Sequence, residues 1–402
     1  MNSADAFVRQ RVSPSRKERH MKKMLAPALA ALSLALPGAG QAQVKIGFIN
    51  SITGPEAPIG ENLTNGVDMA VEDLKKKGVN VQLIKQDDTG KPQVSMSAME
   101  QLATGDEVAA VVGPYTSATA NAVAKLANQY KVPQVVPAAA KEEITRQGYD
   151  WVFRLNAPAH QYAQSLLDAA LEFGKPKTIA FIYESTDFGT SVATAGKDYA
   201  QKKGLKVVGD EAYQKGAPDY RSTLTKVKAA NPDLVFMVSY VADAILLMRQ
   251  SREVGLKPQA FLGGGAGFDT AQFESEKDIS NLVFSVTQWT PESTPGAEEF
   301  ANRYRQKYGK KPTYHAACAY AAMMVVGEAA QKAGGDRKKI QEELKAGKWT
   351  GIMGEVDFQD YEGFTNQNKL IMPVIQYQGG KSVTVYPKQL AKKKAVFPFT
   401  WK

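Results

Sequence analysis

The stretch Val108–Ala140, VAAVVGPYTSATANAVAKLANQYKVPQVVPAAA, decides the reading of the fold. Val108–Val112 is a short apolar run that reads as a buried strand, and Gly113-Pro114 marks a tight turn. Thr116, Ser117 and Thr119 then fall where a helix begins, and Ser and Thr are favoured there. A second strand, Val132–Val136, ends at Pro137-Ala138-Ala139-Ala140, a loop of small residues. In a parallel sheet both loops emerge at the carboxyl edge, where ligands of open α/β folds sit. A helix start carries unpaired N–H groups and about half a positive charge, so it seats an anion without a basic side chain. The stretch therefore suits the grip of a small acidic solute. Ser117 is either that anchor or an ordinary helix cap.

The same rhythm extends in both directions. Val44–Asn50 reads as a strand, Asn62–Lys77 as a helix stopped by Gly78, Val79–Lys85 as a strand and Val94–Ala103 as a helix. Trp151–Leu155 looks like a connecting strand, after which the series restarts. Gln161–Glu172, Val192–Lys203, Tyr220–Ala229 and Ala242–Val254 read as helices between strands at Thr178–Tyr183, Lys206–Gly209, Asp233–Val238 and Ala260–Leu262. Alternating strands and helices at this spacing predict parallel sheets covered by helices, and two successive series predict two similar α/β lobes. Leu282–Val286 then reads as a strand. Helices follow at Ala297–Tyr308, His315–Ala333 and Arg337–Ala346, then strands at Met353–Phe358, Leu370–Tyr377 and Ser382–Tyr386.

At 402 residues, 44% hydrophobic and 23% charged, the chain is long enough for two domains. Its formal charge is +9, but residues 1–42 hold seven Lys/Arg and two Asp/Glu, so +5 of it lies there. The rest is mildly basic without a clustered face, which excludes a nucleic-acid partner as the expectation. Met21-Lys22-Lys23, the apolar run Met24–Leu36 and the small-residue exit Gly40-Gln41-Ala42 have the form of a cleavable secretory signal. The expectation is a leader over 1–42, with the signal at 21–42 and Met21 an alternative start, and a periplasmic mature protein. The single cysteine, Cys318, forbids an internal disulfide and reads as a small buried hydrophobe.

Catalytic patterns are missing. His20, His160 and His315 have no partners at metal-ligand spacing, and there is no HExxH, paired-cysteine site, GxSxG or Walker A motif. Gly263-Gly264-Gly265-Ala266-Gly267 lacks the spacing of a dinucleotide loop, and Asp87-Asp88 reads as a strand-end turn rather than a carboxylate pair. No enzyme, cofactor or metal is expected.

With those residues in view, the chain resembles the type I periplasmic solute-binding proteins of ABC transporters, in the branched-chain amino acid (Leu/Ile/Val) group. The resemblance spans about residues 43–390. It is carried by VKIGFINSITGP at Val44–Pro55, Asp87-Asp88, VVGPYTS at Val111–Ser117, Pro137–Ala140 with Ile144-Thr145 and Gly148-Tyr149, Phe153-Arg154, Asp187-Phe188-Gly189, and RQSREVG at Arg249–Gly255. It implies two doubly wound α/β lobes joined by three crossings, near Phe153–Asn156, Phe284–Trp289 and Asp357–Glu362. One lobe would comprise 43–154 with 288–357, the other 155–287 with 358–402. Ligand is enclosed between them as they rotate about the hinge.

The resemblance also implies a pocket. Ser117 would hold a carboxylate, with Thr116 and Tyr115 beside it. Ala138 would offer a carbonyl to a ligand ammonium. Ala140 stands where the amino-acid binders have Thr, so only its N–H remains. Phe188 and Tyr240 are the aromatics of the second lobe, Gly265 stands where an acid neutralises the ammonium, and Ile59 stands at a first-lobe aromatic. Losing side chains at Ala140 and Gly265 implies extra space. Two ligand classes remain open. One is an amino acid whose ammonium finds Glu184 or Asp187; the other is an aromatic or short aliphatic carboxylate without an ammonium. Phe188 could instead be a helix staple, Tyr240 or Tyr115 plain core, and Trp289 either cleft wall or hinge packing. The implied partner is a membrane permease, with the chain acting as a monomer; a sensor reporting to a signalling partner is the alternative role.

Overall fold

The computed structural model describes residues 43–401. The expected leader lies outside the described residues. The first series runs β1 (Val44–Asn50), α1 (Ala57–Lys76), β2 (Val81–Asp87), α2 (Pro92–Glu100), β3 (Ala110–Val112), α3 (Ser117–Tyr130), β4 (Gln134–Val136) and β5 (Val152–Arg154). The second runs α4 (Ala159–Phe173), β6 (Thr178–Glu184), α5 (Asp187–Lys202), β7 (Lys206–Tyr213), α6 (Arg221–Ala230), β8 (Leu234–Val238), α7 (Val241–Glu253), β9 (Ala260–Gly263) and β10 (Phe284–Val286). Then come α8 (Ala297–Tyr308), α9 (Tyr314–Lys332) and α10 (Arg337–Ala346), followed by β11 (Lys348–Gly351), β12 (Gly354–Tyr361), β13 (Phe364–Asn368), β14 (Val374–Gln378) and β15 (Lys381–Tyr386).

Each series makes its own sheet. In the first, the parallel strands lie in the order β2-β1-β3-β4-β5, and in the second β7-β6-β8-β9-β10. The two windings are the same, as the repeated rhythm of the sequence predicts. Each has a switch point, between β1 and β3 and between β6 and β8, where the chain leaves in opposite directions and a crevice opens at the carboxyl edge. The strands are apolar because both faces are covered: all five residues of β8 and all four of β9 are buried. At the first switch point the turn after β3 requires glycine. Gly113 has φ +107°, and a Cβ there would lie 2.1 Å from the Ile49 carbonyl oxygen.

The structure corrects several boundaries. Helix α1 starts at Ala57, five residues before the apolar period suggests, because Pro58 suits a first helical turn whose N–H groups have no acceptor. Strand β4 begins at Gln134 because Lys131, in the left-handed region at φ +52°, closes helix α3 first. The larger correction concerns the third crossing. Strand β13, FTNQN, pairs in parallel with β5 through Gln367 and Arg154 and antiparallel with β12. Residues 358–368 therefore belong to the first sheet rather than to lobe II. The chain passes to the second sheet at 369–373, not at Asp357–Glu362.

The polar residues of β13 tie the crossings together. Gln367 Nε2 donates to the Asn156 carbonyl (2.8 Å), and Asn368 Nδ2 donates to the Leu155 carbonyl (3.0 Å). From the second crossing, Gln288 Oε1 accepts the Ala157 N–H (2.9 Å). The guanidinium of Arg154, fully buried, donates to Gln367 Oε1 and to the Lys141 carbonyl. Burial pulls its pKa down to about 10, so it stays charged at neutral pH. Side-chain amides thus take up backbone groups that no sheet ladder satisfies at the hinge.

Candidate functional site

The two switch points face each other. Tyr115 and Ser117 follow β3, Ala138 follows β4, Phe188 follows β6, Tyr240 follows β8 and Ala266 follows β9. Together with Tyr314 and His315, at the start of α9, they line one cavity at the junction of the lobes. The open space there is about 10 Å³, that of one water. A solute the size of an amino acid enters only when the lobes part.

Ser117 is at the junction, with 1% of its surface exposed. The helix cap is its neighbour: Thr116 Oγ1 accepts the Thr119 N–H (3.2 Å) and lies 2.8 Å from Thr119 Oγ1. Thr116 is therefore a capping residue and does not line the cavity. Ser117 opens the helix, so its own N–H and that of Ala118 have no acceptor within the helix. Its hydroxyl oxygen accepts the N–H groups of Ala140 (3.1 Å) and Lys141 (3.2 Å), leaving the hydroxyl proton to donate. The Ala140 N–H, expected to face a ligand, points at Ser117 instead, and the Ala140 carbonyl accepts from Ala159 N–H.

Two further expectations are overturned. Gly265 does not open space. A Cβ on it would lie 2.7 Å from the Tyr162 ring, which fills the position, and its φ of +86° suits glycine. Ile59 is buried within the first-lobe core and is not among the cavity lining. Trp289 also packs away from the cavity: its Nε1 donates to the Ile352 carbonyl (3.0 Å), and its ring meets Phe300 edge-on.

Rings enclose the cavity. Phe188 and Tyr240 lie 5.5 Å apart between centroids, Tyr115 meets Tyr240 edge-on at 6.2 Å and Tyr162 meets Phe188 edge-on at 6.3 Å. Tyr314 stacks on His315 at 3.8 Å and its hydroxyl accepts the Ala266 N–H across the junction. Burial pushes the Tyr115, Tyr240 and Tyr314 hydroxyls well above their usual range, so all three are neutral donors. Burial drives His315 down to about 3, so its ring is neutral too.

Glu184, Asp187 and Glu56 are committed elsewhere. Glu184 accepts the Thr186 and Gly189 N–H groups, each at 2.7 Å; burial still holds its carboxyl above the usual range. Asp187 pairs with Lys141 across the junction at 2.9 Å. Glu56, 3% exposed at the entry of α1, pairs with Lys215 of the other lobe. Burial raises the Glu56 pKa and Lys215 offsets part of that rise. The Lys215 ammonium also sits 4.3 Å over the Tyr240 ring. At the hinge-side rim, an opening of about 550 Å³ holds Glu142, His160 and Arg146. Burial alone would raise the Glu142 pKa, but hydrogen bonds from His160 and Arg146 bring it down to about 2.

The sequence reading missed Tyr314, Ala266 and the Glu56–Lys215 pair, and considered His315 only as a metal ligand. Their signal is weak because each reaches the cavity from an element far away in the chain. Two buried polar atoms in the lining lack a partner, Tyr115 Oη and His315 Nε2. An unpaired buried polar group costs about 1–3 kcal/mol. Among the described residues no group of three or more His, Cys, Asp or Glu is placed to hold a metal ion, and no helix is long and apolar enough to cross a membrane.

Comparison with known proteins agrees with this architecture. Residues 43–381 match the family model described as periplasmic binding protein. A Leu/Ile/Val-binding protein homologue (homolog 7) of Brucella suis is 31% identical over 394 residues, covering 91% of this chain and 96% of the relative. The crystal structure of leucine-binding protein LivK from Thermotoga maritima superposes with a TM-score of 0.76 at 25% identity, covering 85% of this chain and 97% of that one. A solute-binding protein of an ABC transporter from Rhodopseudomonas palustris, in complex with 3,4-dihydroxy benzoic acid, superposes with a TM-score of 0.76 at 23% identity, covering 89% and 98%.

Proposed function

From the premise that the chain belongs to the periplasmic binding protein family, as the solute-binding component of an ABC transporter of the branched-chain amino acid group, we infer that its ligand is a small carboxylate without an ammonium. The carboxylate sits at the start of α3, between the Ser117 hydroxyl and the helix-start N–H groups. The aromatic side chains of both lobes close over its apolar body.

The observation that carries this reading is the state of the acids around the junction. An ammonium desolvated there needs a carboxylate, and an unpaired buried charge costs several kcal/mol. Glu184 is held by two N–H groups, Asp187 by Lys141 and Glu56 by Lys215. Gly265 offers no acid, and Tyr162 occupies its side-chain space. The anion end is different, because helix-start donors and a serine proton remain available. The fold alone leaves the ligand class open: it includes proteins solved with isoleucine and with benzoate.

The rest of the reading follows. The lobes part, admit the solute, close over it and present it to a membrane permease. The protein acts in the periplasm as a monomer, without a cofactor and without converting its ligand. A thermal-shift screen of carboxylates against amino acids tests the ligand class, since a ligand at a hundred times its Kd stabilises by about 2.7 kcal/mol. Simple carboxylates raise Tm and branched-chain amino acids do not. The reverse result overturns the assignment. Ser117→Ala weakens every carboxylate that binds; unchanged affinity removes the helix-start seat.

A further inference from the structure

We propose that Tyr115 Oη and His315 Nε2 form a second polar subsite that holds a hydroxyl group of the ligand, so that the transported solute is a hydroxy-substituted aromatic carboxylate. This rests on the carboxylate reading above and adds a second polar contact to it.

Among the described residues, buried polar side-chain atoms without a partner occur at several places. Only Tyr115 Oη and His315 Nε2 belong to residues lining the junction cavity. Both residues are buried, Tyr115 at 3% exposure and His315 at 0%. Their rings meet edge-on with centroids 5.5 Å apart, so the two atoms serve one neighbourhood. Both come from the first lobe, as does Ser117, so these polar groups are present before the lobes close.

The chemistry selects a hydroxyl. His315 Nδ1 lies 3.3 Å from the Thr313 hydroxyl, which can donate or accept. Nε2 is accordingly either an acceptor or a donor, and the Tyr115 phenol can act as both. A hydroxyl complements either tautomer because it also donates and accepts. An ammonium only donates and carries a charge that no free acid in the lining meets. A second carboxylate only accepts and would be buried against a neutral imidazole. Phe188, Tyr240 and Tyr314 line the same cavity, and ring faces and edges suit a planar ligand ring.

The experiment is calorimetric titration of the full mature chain with benzoate and with its 2-, 3- and 4-hydroxy derivatives. In the parent protein, at least one hydroxy isomer binds about tenfold or more tighter than benzoate, the size expected when a buried polar pair gains its partner. Tyr115→Phe removes only the hydroxyl, and it weakens the preferred hydroxy isomer about tenfold more than it weakens benzoate. His315→Leu acts in the same direction and serves as the second variant. Equal binding of benzoate and all three isomers by the parent protein overturns the subsite and leaves the carboxylate seat standing. Equal loss for all four acids in Tyr115→Phe overturns it as well, because it makes Tyr115 a packing residue. If none of the four acids binds the parent protein, the aromatic carboxylate reading falls, and this subsite with it.

Discussion

The hinge and the cleft floor both bury polar side chains, and they treat them in opposite ways. At the hinge, Gln367, Asn368 and Gln288 direct their amides at backbone groups of neighbouring crossings, with contacts of 2.8–3.0 Å. At the cleft floor, Tyr115 and His315 leave one polar atom each without a protein partner inside an aromatic shell. Polar groups that fix backbone to backbone hold a crossing in place. Polar groups that line a cavity without a protein partner are those the proposed ligand would meet. Tyr162 joins the two regions: its hydroxyl accepts from Gln288 Nε2 (2.7 Å) at the hinge, while its ring meets Phe188 at the cleft.

The largest effect that sharpens this comparison comes from the hinge. Gln367→Leu removes an acceptor from the buried Arg154 guanidinium and from Thr145, and a donor to three carbonyls. Leaving a buried charge short of partners costs about 3 kcal/mol or more. Denaturant unfolding reads this as a lower midpoint with an unchanged slope. A variant as stable as the parent would erase the contrast. Next is Gly265→Ala on the cleft side. It combines a left-handed φ with a Cβ 2.7 Å from the Tyr162 ring, so it destabilises by about 2 kcal/mol. A stable variant with wild-type binding would show that Tyr162 does not fix the space beside Gly265.

Ser117→Ala follows, with carboxylate affinity falling by roughly tenfold or more, the effect of about 1.5 kcal/mol. Calorimetric titration distinguishes this from a hinge effect, which would change stability first. The smallest effect belongs to the rim, where Glu142 of the first lobe accepts from His160 of the second. The Glu142 pKa is held at about 2, below its ordinary 4.5. A depressed carboxyl contributes stability fully above 4.5, and that contribution fades as pH falls from 4.5 towards 2. The site is partly open to solvent, so screening leaves about 1 kcal/mol. Acid unfolding of Glu142→Gln should lack that part of the pH dependence. An acid limb identical to the parent's would remove Glu142 from the inter-lobe contacts that matter.

Much of the fold was legible. The apolar runs of β1, β3, β6 and β8 and the helical periods between them specify alternating units, and their repetition specifies two lobes wound alike. Strand β13 was not legible, because FTNQN has neither alternation nor an apolar run. Its residues are buried for hydrogen bonding rather than for transfer from water, and a pattern of hydrophobicity cannot reveal that. Its absence from the reading displaced the third crossing by about a dozen residues. Of the cavity lining, Tyr115, Ser117 and Ala138 were legible as strand-end turns at a carboxyl edge, and Phe188 and Tyr240 only through the family resemblance. Ile59, Thr116 and the space at Gly265 were misjudged, because the resemblance supplies positions but not the side chains that fill them here.

The amino-acid order by itself determined the βα series, the doubly wound lobes and the helix start at which Ser117 stands, since these depend on local period, turn chemistry and capping. Only the tertiary structure decided that Tyr162 occupies the space beside Gly265, that Glu184, Asp187 and Glu56 already have partners, and that His315 joins Tyr115 at one cavity. Those outcomes depend on contacts between residues far apart in the chain. Packing density and the satisfaction of buried polar groups fix such contacts only when all the elements are in place.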